Sequence, residues 1–128
     1  MYDDPLVDHF VNPRNVGTLQ HPDGYAQEGS IECGDMMEMF IMVDGDTITD
    51  VKYRTFGCAS AIASSSMASE LIKGHSLAEA EAITKDTIAD ALGGLSPAKM
   101  HCSVMAVDAL RGALADYRNK QARPAGER

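Results

Sequence analysis

Five side chains in this sequence carry more chemistry than their neighbours: Cys33, Asp35, Cys58, His101 and Cys102. Thiolate sulfur and imidazole nitrogen are ligands for soft and borderline metals, and a thiolate is also the nucleophile that attacks sulfur. The three cysteines form no CxxC pair and match no zinc-finger template, so their spacing supports a metal or thiolate site and nothing narrower. Asp35 lies two residues beyond Cys33, and in extended chain positions i and i+2 share a face. A hard carboxylate beside soft sulfur suits an exchangeable site better than permanent retention of a soft metal. His101 and Cys102 are sequence neighbours. Adjacent helical residues diverge by roughly 100°, so both reach one centre only at the end or edge of a helix.

The flanking residues indicate what must position these groups. In Ser96-Pro97-Ala98-Lys99-Met100-His101-Cys102-Ser103 the serine is an expected N-cap and the proline suits the first helical position, which places His101 and Cys102 one turn into a long helix. That helix is expected from Pro97 to about Asn119, with Met100, Val107, Leu110, Leu114 and Tyr117 on one side. Lys99 stands one turn from the cap, free to snorkel to solvent or to offer its charge to the site. Cys58 falls where a strand gives way to a helix, and the field of a helix N-terminus favours a thiolate. Cys33 precedes Gly34, which permits a tight backbone turn.

Met36–Val43 and Thr47–Phe56 read as strands around the hairpin signal Asp44-Gly45-Asp46, and a weaker strand is expected over Tyr25–Ile31. Val51, Tyr53 and Thr55 take one face of their strand and Lys52 and Arg54 the other, as in an antiparallel sheet with one wet side. After Cys58 the period changes to four, with Ala59, Ala63, Met67 and Leu71 as the expected inner stripe and Gly74 closing the helix. The serines at 64, 65, 66 and 69 form a small-residue face that allows close packing. Ser76-Leu77-Ala78-Glu79 is a capping box opening a short helix, and another follows Thr84 and ends near Gly93-Gly94. A first helix over 3–11 stops before Asn12-Pro13, and Asn15–Leu19 is expected to cross the surface as an irregular arm. Strands first and helices after indicate an α+β fold: a three-stranded antiparallel sheet, helices packed on one face, and a long C-terminal helix.

The chain of 128 residues is long enough for one core without disulfides. It is expected to form a single domain over 1–118 with a polar, frayed tail over 119–128. Its net charge of −8 argues against nucleic acid as the main partner. No apolar run approaches the length of a membrane span, and no signal peptide is legible, so a cytoplasmic protein with reduced thiols is expected.

Three segments taken together are more specific than any single spacing. Cys33-Gly34-Asp35, the run Tyr53-Arg54-Thr55-Phe56-Gly57-Cys58-Ala59-Ser60-Ala61-Ile62-Ala63-Ser64-Ser65-Ser66, and Lys99-Met100-His101-Cys102-Ser103 closely resemble the U-type iron–sulfur cluster assembly scaffolds, the IscU family and the N-terminal domain of NifU. Asp8-His9-Phe10 with Asn12–Gly17 is similar to that family's N-terminal segment, and Ala113–Tyr117 to its last helix. The likeness spans roughly residues 3–118. It implies a scaffold rather than an enzyme: a [2Fe–2S] cluster built transiently from iron at Cys33, Cys58 and Cys102, with His101 or Asp35 as fourth ligand, and handed to acceptor apoproteins. It further implies a cysteine desulfurase as sulfur donor, Cys102 as persulfide acceptor, Asp35 as the residue of cluster lability and release, and Lys99 in an auxiliary role. Zn²⁺ is the implied occupant of the cluster-free pocket, and a ferredoxin and an Hsp70-type chaperone are the further partners implied. Leu95-Ser96-Pro97-Ala98-Lys99 departs from the Leu-Pro-Pro-Val-Lys chaperone motif, which weakens the last expectation. The short interval from Cys58 to Cys102 and the presence of His101 favour the IscU/NifU side over the SufU branch. Two other readings compete: a zinc-bound sulfur acceptor that stimulates a desulfurase, and a transferase using Cys102 with His101 as base. The second is disfavoured because adjacent helical residues do not face each other.

Overall fold

The computed structural model describes residues 3–30, 32 and 34–122. Helix α1 (Pro5–Val11) starts on Asp4, whose carboxylate accepts from the Leu6 amide at 2.9 Å. Three strands follow, β1 (Gly24–Ser30), β2 (Asp35–Asp44) and β3 (Thr47–Phe56). They form one antiparallel sheet in the order β1-β2-β3, with Met39 paired to both Ala26 and Tyr53. The strands lie where alternation placed them, within a residue at each described end, and the Asp44–Asp46 hairpin is present.

Side chains alternate across the sheet. Met37, Met39 and Ile41 point to the helical side and are fully buried, each contributing about 1.5–3 kcal/mol. Met36, Glu38 and Phe40 point outward, yet each keeps under a tenth of its surface. Their neighbours cover them. Tyr25 packs its ring against Phe40, and both the Tyr25 hydroxyl and the Arg54 guanidinium hydrogen-bond Glu38.

On the other side lie helix α2 (Ala59–Ile72), the short helices α3 (Leu77–Glu81) and α4 (Lys85–Ala91), and the long α5 (Met100–Ala122). Both short helices open on capping boxes, at Ser76 with Glu79 and at Thr84 with Thr87. Helix α5 lies against β1 so closely that a Cβ on Gly112 would stand 2.7 Å from that of Ala26. Its buried stripe includes Val107, Leu110 and Leu114 as expected.

Two expectations need correction. Of the four-residue apolar stripe expected on the inner face of α2, only Ala63 is fully buried. Ser64, Ser65, Ser66 and Ser69 are completely buried, whereas Ala59, Met67 and Leu71 sit at the rim. Small side chains let α2 approach the sheet, and hydroxyls can satisfy their own polarity on the helix: Ser65 donates to the Ala61 carbonyl and Ser69 to that of Ser66. Nor does the last helix begin as a regular α-helix at Pro97. Pro97–Lys99 form a single 3₁₀ turn, the Ser96 side chain makes no capping bond, and α5 proper starts at Met100. At its far end α5 continues past Asn119 to Ala122, with Lys120 paired to Asp116 at 3.0 Å.

The segment after α1 is an arm, and hydrogen bonds fix it at every step. Asn15, in the left-handed region at φ 61°, accepts from the Tyr53 amide, and the Gly17 amide donates to the Tyr53 carbonyl. Val16 thereby bridges to the edge of β3 in parallel sense. Inward, Asn15 donates to Ser69 at 2.9 Å and the Arg14 amide donates to Ser66 at 2.9 Å. The Ser66 hydroxyl also shares a hydrogen bond with His9 Nδ1, 2.7 Å away. Arg14 pairs with Asp8 at 2.7 Å. That guanidinium, opposed by burial and aided by Asn12, holds the Asp8 carboxyl below its usual range.

Candidate metal and thiol site

The site lies where β2 begins, β3 ends and two helices start. Cys58 is the N-cap residue of α2, following Gly57 at the end of β3, and it is exposed. Cys102 comes in the first turn of α5 and retains 1% of its surface. Residues 44 positions apart thus meet: their sulfurs are 3.8 Å apart, in van der Waals contact and unbonded.

His101 joins them. Its Nε2 is 3.6 Å from the Cys102 sulfur, while its Nδ1 lies 3.2 Å from the Ala98 carbonyl. A carbonyl only accepts, so the proton of a neutral ring sits on Nδ1 and the lone pair of Nε2 faces the thiols. That is the tautomer a metal-binding imidazole needs. The neighbours reach one place because they stand at the very start of α5, where the chain enters from the 3₁₀ turn.

Asp35 approaches from the sheet. It shares the helical face of β2 with Met37, and its Oδ1 lies 3.0 Å from where a Cβ on Gly57 would stand. Gly57 is the site residue that inspection of motifs undervalued. Its lack of a side chain leaves room for the carboxylate, and the signal was its place immediately before Cys58. Lys99, exposed in the 3₁₀ turn, supplies positive charge felt by both sulfurs.

The two thiols differ. Burial opposes ionisation of Cys58, but the Ala61 and Ser60 amides at the head of α2, the Cys102 thiol and Lys99 together bring it below the ordinary thiol value. Cys102 moves the other way, pushed up to about 12 by burial, by the neighbouring Cys58 and by the Asp35 charge, against the pull of Lys99. Of the pair, Cys58 is therefore the first to ionise. A metal ion would displace both protons, since only thiolate sulfur binds strongly.

Of the residues singled out in the sequence, Cys102 touches both Cys58 and His101, Asp35 borders the Cys58 end and Lys99 lies within electrostatic reach. Cys33 lies outside the described residues. Among the described residues, no group of three or more His, Cys, Asp or Glu is gathered tightly enough to hold an ion. His9 sits in the arm's network and takes no part.

The family model for the NifU-like N-terminal domain matches residues 1–124. The iron–sulfur cluster assembly scaffold protein IscU 1 of Archaeoglobus fulgidus is 53% identical over 120 residues, covering 94% of this chain and 78% of that protein. IscU of Haemophilus influenzae is 48% identical over 124 residues, covering 94% and 98%. In architecture the chain is similar to the N-terminal part of a nitrogen-fixing NifU-like protein from Brucella abortus, with a TM-score of 0.72 at 20% identity over 93% of this chain and 95% of that one. From both its sequence and its sheet-and-helix layout, this chain belongs to the family of IscU proteins and NifU-like N-terminal domains.

Proposed function

We propose that this chain is a scaffold on which iron–sulfur clusters are assembled and from which they pass to acceptor proteins. The observation that carries the reading is the meeting of Cys58, Cys102 and His101 Nε2 at one end of the sheet, with the Asp35 carboxylate alongside. Relatives that bear the scaffold name match nearly the whole chain. Thiolates are the usual ligands of iron–sulfur clusters, and exposure of Cys58 leaves the rim open to delivery and release.

In this reading the cargo is a [2Fe–2S] cluster, held by Cys33, Cys58 and Cys102 with His101 or Asp35 completing the set. A cysteine desulfurase supplies the sulfur. Cys102 is the acceptor that the resemblance implies, but its burial means a donor meets Cys58 first, so the pair acts as the receiving unit. Asp35 contributes a hard oxygen that weakens retention, and Lys99 steadies negative charge during assembly. Zinc, which accepts the same donors, is the proposed occupant when no cluster is present. A ferredoxin-type reductant and an Hsp70-type chaperone are the further proposed partners; the exposed Ser96–Lys99 segment is the chaperone's docking point, weakened by its departures from the motif. Reduced thiols fit a cytoplasmic setting. No helix among the described residues is long and apolar enough to cross a membrane.

Anaerobic incubation with ferrous iron, cysteine and a desulfurase tests the proposal. Visible sulfur-to-iron absorption and a Mössbauer spectrum of paired ferric ions are expected, followed by transfer to an apo-ferredoxin. Stimulated desulfurase turnover on the zinc-loaded protein, with no cluster signal, would replace this reading with that of a sulfur acceptor.

A further inference from the structure

Away from the thiols, the surface between α4 and α5 holds a groove of about 240 Å³, lined by Thr84, Lys85, Val104, Val107, Asp108 and Arg111. The last four stand on α5 at positions i, i+3, i+4 and i+7, one face of a helix. Around the axis that face diverges from Cys102 by roughly 140–240°, so it belongs to another side of α5. Val107 is buried and supplies an apolar floor, while Val104 keeps 38% of its surface in water.

Charge sets the groove apart. Nine Lys and Arg side chains lie among the described residues, and five of them stand in ion pairs. Lys52, Lys85, Lys99 and Arg111 do not, and two of those four line the groove. Arg111 is anchored without being neutralised: it donates from Nη2 to the Ile83 carbonyl at 3.2 Å and keeps its other N–H donors for a further partner. Thr84 has less to offer, since its hydroxyl caps the Thr87 amide. Asp108 is the one acid of the lining and pairs with neither cation. In a chain of net charge −8, two unneutralised cations beside an exposed valine reverse the local sign.

We propose that this groove is a docking site for an acidic, aliphatic segment of a partner protein. A carboxylate of that segment meets Arg111 and Lys85, and a neighbouring Leu, Ile or Val side chain covers Val104 and Val107. The dimensions select a peptide. Val104 and Arg111 are seven residues apart on the helix, about 10 Å along its axis, which is the span of about three residues of extended chain. Because the face turns away from Cys102, a partner held there leaves the thiol site uncovered. The proposal does not depend on the scaffold reading.

Full-length ¹⁵N-labelled protein is titrated with two capped tripeptides, acetyl-Asp-Leu-Leu-amide and acetyl-Leu-Leu-Asp-amide, which present the carboxylate in both chain directions. At least one should give saturable shifts centred on the amides of Lys85, Val104, Val107, Asp108 and Arg111. Exchanging the peptide's Asp for Asn should weaken binding about fivefold, as should raising salt from about 0.05 to about 0.5 M. Arg111→Gln should cost about fivefold and Lys85→Gln about threefold, whereas Asp108→Asn should tighten binding about twofold by removing the opposing charge. Lys85 is exposed and in no ion pair, so its variant carries the test if Arg111→Gln, which also loses the Ile83 bond, folds poorly. Shifts that are absent up to the solubility of both peptides, or centred elsewhere, would overturn the proposal. Equal binding of the Asn peptides would overturn the role of charge. Isovalerate offers the same carboxylate and aliphatic groups without a peptide chain; binding as tight as that of the peptides would make this a small-acid site and overturn the assignment to a protein partner.

Discussion

Helix α2 borders two polar regions that treat their groups in opposite ways. At Ser66 and Ser69 it meets the N-terminal arm, where Asp8, His9, Arg14 and Asn15 are tied by hydrogen bonds of 2.7–2.9 Å. At its first turn it meets Cys102 and His101, where the closest approaches are sulfur contacts of 3.6–3.8 Å. Most of the arm's groups bond one another at short range, although Arg14 Nη1 is buried without a partner among the described residues, whereas the thiols meet only through longer sulfur contacts. A polar cluster that is closely bonded holds the fold; one that is adjacent but loosely joined is ready for a ligand.

The strongest test of that contrast removes the reactive pair. Cys58→Ser and Cys102→Ser should each lower reconstituted cluster yield by more than the about 10–100-fold associated with disturbing residues that merely orient a ligand, while thermal melting stays close to the parent. Unchanged yields in both variants would break the comparison. On the arm side the effects should be reversed. Ser66→Ala strands His9 Nδ1 and the Arg14 amide and should cost about 1–3 kcal/mol in denaturant unfolding, with Cys58 alkylation by iodoacetamide unaltered.

A smaller effect distinguishes the regions by pH. Burial, reinforced by the Arg14 charge and opposed by Asp8 and Glu70, lowers the His9 pKa beneath 6.5. Unfolded chain therefore takes up this proton as pH falls through about 6.5, before folded chain does. The contribution of neutral His9 is intact above that pH and declines below it. Urea titrations at pH 7.5 and 5.5 should show lower stability at the acid point, and His9→Asn should flatten that slope. The smallest change expected is in Asp35→Ala, where loss of the hard carboxylate should lengthen the life of an assembled cluster by a modest factor, followed by decay of its visible absorption. A shortened life would remove the release role from Asp35.

The sheet, its hairpin and both capped short helices were legible because each is encoded locally, by alternation or by residues three apart. The inner face of α2 was legible only in part. Its serines suggested close packing, but hydropathy drew the stripe through Met67 and Leu71, because periodicity does not register that a hydroxyl can be satisfied by the carbonyl one turn back. The arm's network was not legible, since Arg14 and Ser66 are 52 positions apart and neither type demands the other. For the site, residue types announced metal or thiol chemistry, yet the contact of Cys58 with Cys102 depended on where two helices begin. Their places at element boundaries pointed to convergence on one site, and the structure supplies the distance. Why Cys102 should be the less accessible thiol was not readable in any motif. It follows from the packing of the first turn of α5, where Ser103 and Ala106 are also fully buried.

The parallel bridge between Val16 and Tyr53 has a further consequence. A sheet margin with unclaimed amides and carbonyls invites strands from other molecules, and β3 would present such a margin if the arm were lifted. By occupying the Tyr53 amide and carbonyl, Asn15 and Gly17 cover part of that edge against pairing with another chain. Loosening Ser66 or Asn15 would therefore register as aggregation before it registers as lost chemistry.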